Sequence, residues 1–141
     1  MRGRRGLSPP VAGALAGIAW RALEPALRRC FGHPYSDPQL VTAFVTRGRR
    51  QVPLDYLVQA SGGAAFAALV ARAGRASLVV PAVMAENALL LAASPLIDRV
   101  HPAVRDGSWP PLTRNARAAG VSVSGHLLYA FLLELLLDRG G

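Results

Sequence analysis

Lysine is absent from this chain: all sixteen basic residues among its 141 are Arg, set against eight acids for a formal charge of +8. Exclusive use of Arg beside abundant Ala, Gly and Pro fits a GC-rich bacterial genome. The Arg residues do not gather into one basic face but stand between apolar stretches, which argues against a nucleic-acid binder and matches the flanking charge of membrane segments. Cysteine occurs once, at Cys30, which excludes an internal disulfide and a Cys-rich metal knuckle. Missing too are E-x-x-H and H-x-x-x-H pairs, a Gly-rich phosphate loop, a G-x-S-x-G elbow and a Cys/His dyad. No metal site, cofactor or nucleophilic centre is therefore expected.

What the chain does have is long apolar runs. The central one, Ala76 to Ile97, reads ASLVVPAVMAENALLLAASPLI, with no Arg and Glu86 as its one ionisable group. As a helix rising about 1.5 Å per residue, it is long enough to cross a hydrocarbon core of roughly 30 Å. Its nine Leu, Ile and Val residues contribute about −3 to −5 kcal/mol to insertion. A mid-helix carboxylate costs about 2.5 to 3.5 kcal/mol on the same scale, before the amide of Asn87 is counted. Glu86 must then be protonated, face a wet cavity or meet a donor on another helix, and each outcome demands neighbouring spans.

Three further spans are expected. The first, about residues 7–27, follows MRGRRG and carries Gly13-x-x-x-Gly17, with Arg21 and Glu24 continuing one helical face. Its uninterrupted apolar part is short for a span, so either Arg21 snorkels to the surface or the helix only dips into the bilayer. The same beginning also has the layout of a secretory signal, with a basic start, a short apolar run and Ala14 and Ala16 at A-x-A spacing. A second span, 53–71, lines up Ala60, Ala64 and Ala68 with Gly63 and Ala67 beside them, a surface for close helix packing. Only a tight turn, Arg72 to Arg75, separates it from the central span, which predicts an antiparallel hairpin. The last span, 118–137, steps His126, Ala130 and Glu134 along one face with Tyr129 close by. A soluble Ala-rich bundle is the alternative, but Leu127 to Leu137 is apolar all round except for Tyr129 and Glu134, where a soluble surface helix would show a charged face.

Between the spans lie two long loops, 28–52 and 98–117. In the first, Ser36-Asp37-Pro38 predicts a cap for a short interfacial helix over Gln39 to Thr46, and Arg47, Arg49 and Arg50 are placed against lipid headgroups. In the second, Trp109 is expected as an interface anchor. The first loop holds five Arg and the second four, against two in the tight turn and one at the C-terminus, so both long loops are expected in the cytoplasm. Arg2, Arg4 and Arg5 would be outside if the first helix crossed fully; a tilted or partial helix reconciles them.

Ionisable groups at membrane depth mark pathways or docking devices. Arg21, Glu24, Glu86, Asn87, His126 and Glu134 are the intramembrane candidates. His101 and Asp106 have the H-x4-D spacing of glycerolipid acyltransferases, in which the acid orients a His that activates a hydroxyl. The glycine-rich phosphate motif that accompanies it there is missing.

Phe31-Gly32-x-Pro34-Tyr35-Ser36-Asp37, Thr46-Arg47-Gly48-Arg49, Pro95-Leu96-x-Asp98-Arg99-x-His101-Pro102, Asp106-Gly107, Pro111-Leu112 and His126-Leu127-Leu128-Tyr129 together resemble uncharacterised small multi-pass membrane proteins of high-GC bacteria. The resemblance covers nearly the whole chain and implies no activity, cofactor or catalytic residue. The expectation is one all-α domain, a small inner-membrane bundle of three to four spans. It is expected to be non-enzymatic, packing against lipid, a second copy or a membrane-protein partner, with no nucleic acid. Proton- or ion-coupled transport through Glu86 is the first alternative, and a membrane-surface enzyme using His101 and Asp106 the second.

Overall fold

The computed structural model describes residues 7–74 and 78–138. Arg2, Arg4 and Arg5 with the rest of the basic start at 1–6, Arg75 at the end of the tight turn, and Arg139 lie outside the described residues. Among those described there is no strand; seven α-helices run in the order α1 Pro9–Phe31, α2 Gln39–Thr42, α3 Gln51–Arg72, α4 Val79–Ala92, α5 Ser94–Val100, α6 Pro102–Arg105 and α7 Ala116–Asp138. A 3-10 turn, Gly48–Arg50, leads into α3.

Local chemistry sets the ends. Pro at the first positions opens α1, where a missing N–H costs nothing. Gly32 closes it at φ 61°, the left-handed region a side chain resists, while the Gly32 and His33 amides donate back to the Arg29 and Arg28 carbonyls. The Asn115 side chain caps α7, its Oδ1 accepting from the amides of Arg117 and Ala118 at 3.1 Å each. The central run does not form one straight helix as expected. It bends by 52° between Ala92 and Ser94, where Pro95 lacks the N–H and its ring crowds the preceding turn.

Helix α1 is the axis of the bundle. It is a single helix of 23 residues, longer than its apolar run suggests, because Arg21 and Glu24 turn inward and need not reach the surface. Gly13, Gly17 and Arg21 of α1 meet Gly63, Gln59 and Asp55 of α3, an antiparallel pairing. A Cβ on Gly13 would fall on the Gly63 carbonyl, and one on Gly17 on the Gln59 carbonyl. Gly63 and Ala67 are the buried residues of the small-residue face, and Ala60, Ala64 and Ala68 are its partly exposed flank. Helix α7 packs on the other side of α1, Gly125 against the Trp20 indole and Gly120 against Phe31. Helix α4 packs on α7, also antiparallel, since Val79 shares a core with Leu133 whereas Ile97 sits with Ala118 and Val121. The expected hairpin of α3 and α4 is thus antiparallel but splayed: among the described residues the two helices share at most a marginal contact, and α1 and α7 lie between them.

The buried face of α1 consists of Ala12, Gly13, Ala16, Gly17, Trp20, Arg21 and Glu24, and its exposed face includes Val11, Leu15, Ile18 and Leu23. Leu57 and Leu69 of α3, Leu89 of α4 and Phe131 of α7 are likewise exposed. On α1 Trp20 is the one large apolar side chain of the buried face; the rest of that face is small or charged. Two helices, Gly48–Arg72 and Ala116–Leu137, are long and apolar enough to cross a membrane, and the bent pair α4–α5 makes a third if counted as one span.

Both long loops fold onto one end of the bundle as a single layer. Tyr35, Ala103, Trp109, Leu112, Ala118 and Val121 form its core. Asp98 fastens it by accepting from the amides of Leu112 at 2.6 Å and Thr113 at 2.9 Å. The expected interfacial helix over Gln39 to Thr46 shortens to α2, because Thr42 turns inward and the chain leaves helix at Ala43. Val41, Phe44 and Val45 nevertheless stay exposed beside exposed Arg47, Arg49 and Arg50. Trp109 corrects the sequence reading: it is 4% exposed, stacked on His101 at 4.6 Å and packed near Tyr35, so it is core and not a headgroup anchor.

Candidate functional site

Two buried polar chains start from the inward face of α1 and from α7. In the first, Arg21 Nη2 donates to Asp55 Oδ2 at 3.2 Å, and its guanidinium lies 5.3 Å from the centre of the Tyr56 ring. Asp55 also accepts from Thr42 Oγ1 at 2.6 Å and Gln39 Nε2 at 3.4 Å. Arg21 lies 3.8 Å from Glu24, whose carboxylate accepts from Ser36 Oγ at 3.0 Å and the Asp37 amide at 3.1 Å. Asp55 and Glu24 are almost completely buried, and their oxygens are occupied by protein donors. This chain locks α1 to α3 and pins the first loop on top. Among the described residues Arg21 Nε is its one buried side-chain polar atom without a partner.

The second chain ties α4 to α7 and to the first loop. Asn87 Nδ2 of α4 donates to Ser122 Oγ of α7 at 2.7 Å, and Ser122 Oγ lies 3.3 Å from Asp37 Oδ1, which also accepts from Tyr35 Oη at 2.7 Å. His126 Nδ1 is 2.8 Å from the Ser122 carbonyl and 3.1 Å from Asn87 Nδ2. A carbonyl only accepts and the amide nitrogen only donates, so Nδ1 serves the first when protonated and the second when not. Asp37 Oδ2 is buried without a partner. Burial pushes the Asp37 carboxyl above its ordinary value, and Glu86 acts the same way; His126 and the hydrogen bonds from Tyr35 and Ser122 oppose them.

This chain borders an open cleft of about 280 Å³. The cleft occupies the gap left by the splayed α3 and α4: Gln59, Gly62, Gly63 and Phe66 line one wall, Glu86 and Leu90 the other, and Trp20, His126 and Tyr129 the floor, with Asp37, Leu40 and Val41 at the loop end. Tyr129 Oη donates to the Gly63 carbonyl at 2.8 Å, holding α7 to α3 beneath it. Gln59 Nε2 is a second buried polar atom without a partner. Glu86 is exposed at the cleft and makes no hydrogen bond or ion pair among the described residues, so of the sequence's three options it takes the cavity. Asn87 beside it is the residue that enters the core.

The residues singled out in the sequence divide accordingly. Arg21 and Glu24 join the locking chain; Glu86 and His126 line the cleft, with Asn87 bonded to Ser122 and beside His126; Glu134 is partly buried on α7 and joins neither. Arg47 is tied to Asp106, whereas Arg49 and Arg50 are exposed. Asp37, Asp55, Ser122 and Gln59 were not among them. Ser36-Asp37-Pro38 has the pattern of a helix cap, but Pro38 precedes α2 with no side-chain cap, and Asp37 and Asp55 both point into the bundle.

His101 and Asp106 are not assembled as a catalytic pair. His101 Nε2 lies 3.0 Å from the Gln39 carbonyl and Nδ1 accepts from the Ala103 amide at 3.2 Å, so both ring nitrogens are spent on backbone and the ring is neutral. Burial, aided by Arg47, draws its proton affinity below the ordinary histidine value despite the Gln39 hydrogen bond. Asp106 accepts from the Ser108 hydroxyl and amide and from Arg47, and these hold its carboxyl down at about 2. Among the described residues no three His, Cys, Asp or Glu converge as metal ligands. No family model, curated protein or solved structure matches the chain.

Proposed function

We propose that the chain is a multi-pass bacterial inner-membrane protein in which α1, α3, α4–α5 and α7 cross the bilayer, and that it works as a small proton- or ion-coupled transport component. The observation that carries the functional part is the cleft: it opens beside Glu86 and runs inward to Asp37 and His126, joined through Ser122 and Asn87. Ionisable groups lining a cavity between apolar helices are the pattern of an ion or proton path. The inverted faces of α1 support the membrane part, since outward Leu and Ile with inward Arg and Glu suit lipid as solvent. Both long loops and nine of the Arg residues share one end, which the positive-inside bias assigns to the cytoplasm.

A second reading, a lipid- or partner-binding module that includes self-association, draws on exposed Val41, Phe44 and Val45 beside Arg47, Arg49 and Arg50. Reconstituted vesicles separate the two. Glu86→Gln should leave the bundle assembled and abolish pH-dependent flux; flux unchanged from the unaltered protein removes the transport reading.

A further inference from the structure

From the make-up of the cleft we infer that it binds a small organic cation, an aryl- or alkylammonium of amphipathic shape. The inference takes the cleft proposed above as the working site, but depends neither on flux nor on a membrane. Three aromatic side chains, Trp20, Phe66 and Tyr129, line the space. Trp20 and Phe66 both pack against the Tyr129 ring, at centroid distances of 6.1 and 5.8 Å, so the aromatic wall is continuous. Aromatic faces attract a cation without asking it to shed a rigid coordination shell.

The charges agree in sign. Two carboxyl groups, Asp37 and Glu86, line the cleft, and among the described residues His126 is the one basic side chain in it and no Arg lines it. A negatively lined, aromatic-walled space in a protein of net charge +8 selects cations against the field of the whole molecule. The unpartnered Asp37 Oδ2 and the unpartnered Gln59 Nε2 are the polar atoms left for a ligand to satisfy. An ammonium hydrogen or a polarised N-methyl group answers the first. A hydroxyl or carbonyl on the ligand's body answers the second.

A compact inorganic ion fits less well. A divalent cation wants several converging ligands, and among the described residues no three His, Cys, Asp or Glu side chains converge. The lining is mainly Leu, Val, Gly and aromatic, which suits carbon and not a hydration shell. At about 280 Å³ the space is at the small end of ligand pockets, which limits the ligand to roughly one ring and a substituted nitrogen.

The test is equilibrium dialysis of labelled benzyltrimethylammonium against the purified full chain in mild detergent, with displacement by its neutral carbon isostere, neopentylbenzene. Saturable binding that the isostere displaces at least tenfold less well is expected; equal displacement overturns the inference, because charge is then not being read. Glu86→Gln should weaken binding about tenfold, and since Glu86 is exposed and unpaired this variant keeps its fold. Gly62→Leu supplies the steric counterpart. A Cβ at Gly62 meets nothing within 4 Å, so the side chain enters the open cleft and binding should vanish while helix content is retained. Undiminished binding in both variants overturns the site. Because Asp37, faced by Glu86, His126, Tyr35, Glu24 and Ser122, binds its proton more tightly than usual, affinity should rise with pH as that proton leaves. Binding without flux supports this inference and counts against the transport reading, so the two can fail separately.

Discussion

Arg21 and Asp55 meet at 3.2 Å in the interior, one on α1 and the other on α3, and Asp55 is completely buried. Their pairing fixes helix register, because sliding α1 by one residue would move the guanidinium off the carboxylate and turn Glu24 away from the Ser36–Asp37 loop. Such a pair stabilises little beyond a well-packed apolar pair, yet removing one member strands the other charge.

Asp55→Ala is expected to destabilise the protein by about 3 to 5 kcal/mol, since Arg21 loses its main partner and Thr42 and Gln39 lose their acceptor. The double change Arg21→Met with Asp55→Leu should cost much less than the two single changes summed. Thermal unfolding in detergent measures both. A double variant as unstable as the sum would deny that the pair acts as a unit.

Neighbouring glycines on α3 should respond in opposite directions. Gly63→Val must displace the Gly13 backbone and the Tyr129 ring, so a loss of about 1 to 3 kcal/mol or more is expected. Gly62→Ala meets open space inside a helix and should gain about 0.5 to 1 kcal/mol. The same unfolding assay reads both, and equal effects would mean that α1 does not rest on Gly63.

The loop layer should loosen in mild acid. His101 is held neutral with a lowered proton affinity, so above its ordinary value near 6.5 folded and unfolded chains are alike in charge and its contribution is whole. As pH falls below that value the unfolded chain takes up the proton first, and the contribution is lost progressively toward the folded value. Asp106, held at about 2, adds a second loss only in strong acid. Trp109, stacked on His101 with planes 9° apart, reports the change. In a Trp20→Phe background its fluorescence should shift as pH falls below about 6.5, and His101→Gln should flatten that response. A shift that persists in His101→Gln assigns it to another group.

Much of the helical layout was legible because apolar length and helix-ending residues are local properties: Gly32 and Pro34 end α1, and Pro102, Pro110 and Pro111 keep the second loop from being one helix. What depended on neighbours was not. Trp109, expected at the headgroups, is buried in the core of the loop layer, because a loop's path over the bundle leaves no periodic trace in sequence. Asp37 and Asp55 sit at helix boundaries where an acid is ordinary, and only the fold turns them inward. The bend at Pro95 was visible as a residue, but the run of apolar neighbours around it outweighed the missing amide. The GxxxG spacing of Gly13 and Gly17 was ambiguous in an Ala-rich chain until the Gly63 and Gln59 carbonyls occupied the space of their absent side chains.

The orientation assigned from the Arg count can be checked at one native atom. Cys30 is exposed at the loop end of α1, and it is the chain's one thiol. If the loop layer is cytoplasmic, a membrane-impermeant maleimide should label Cys30 in inverted inner-membrane vesicles and spare it in intact spheroplasts. Arg72, exposed at the far end of α3, provides the opposite pole: Arg72→Cys in a Cys30→Ser background should label from the outside. One apolar helix separates the two positions, so labelling from opposite faces requires that α3 cross the bilayer. Labelling of both from the same face means it does not, and recovery of the folded full chain in the soluble fraction without detergent would remove lipid as the solvent for the outward Leu, Ile and Val altogether.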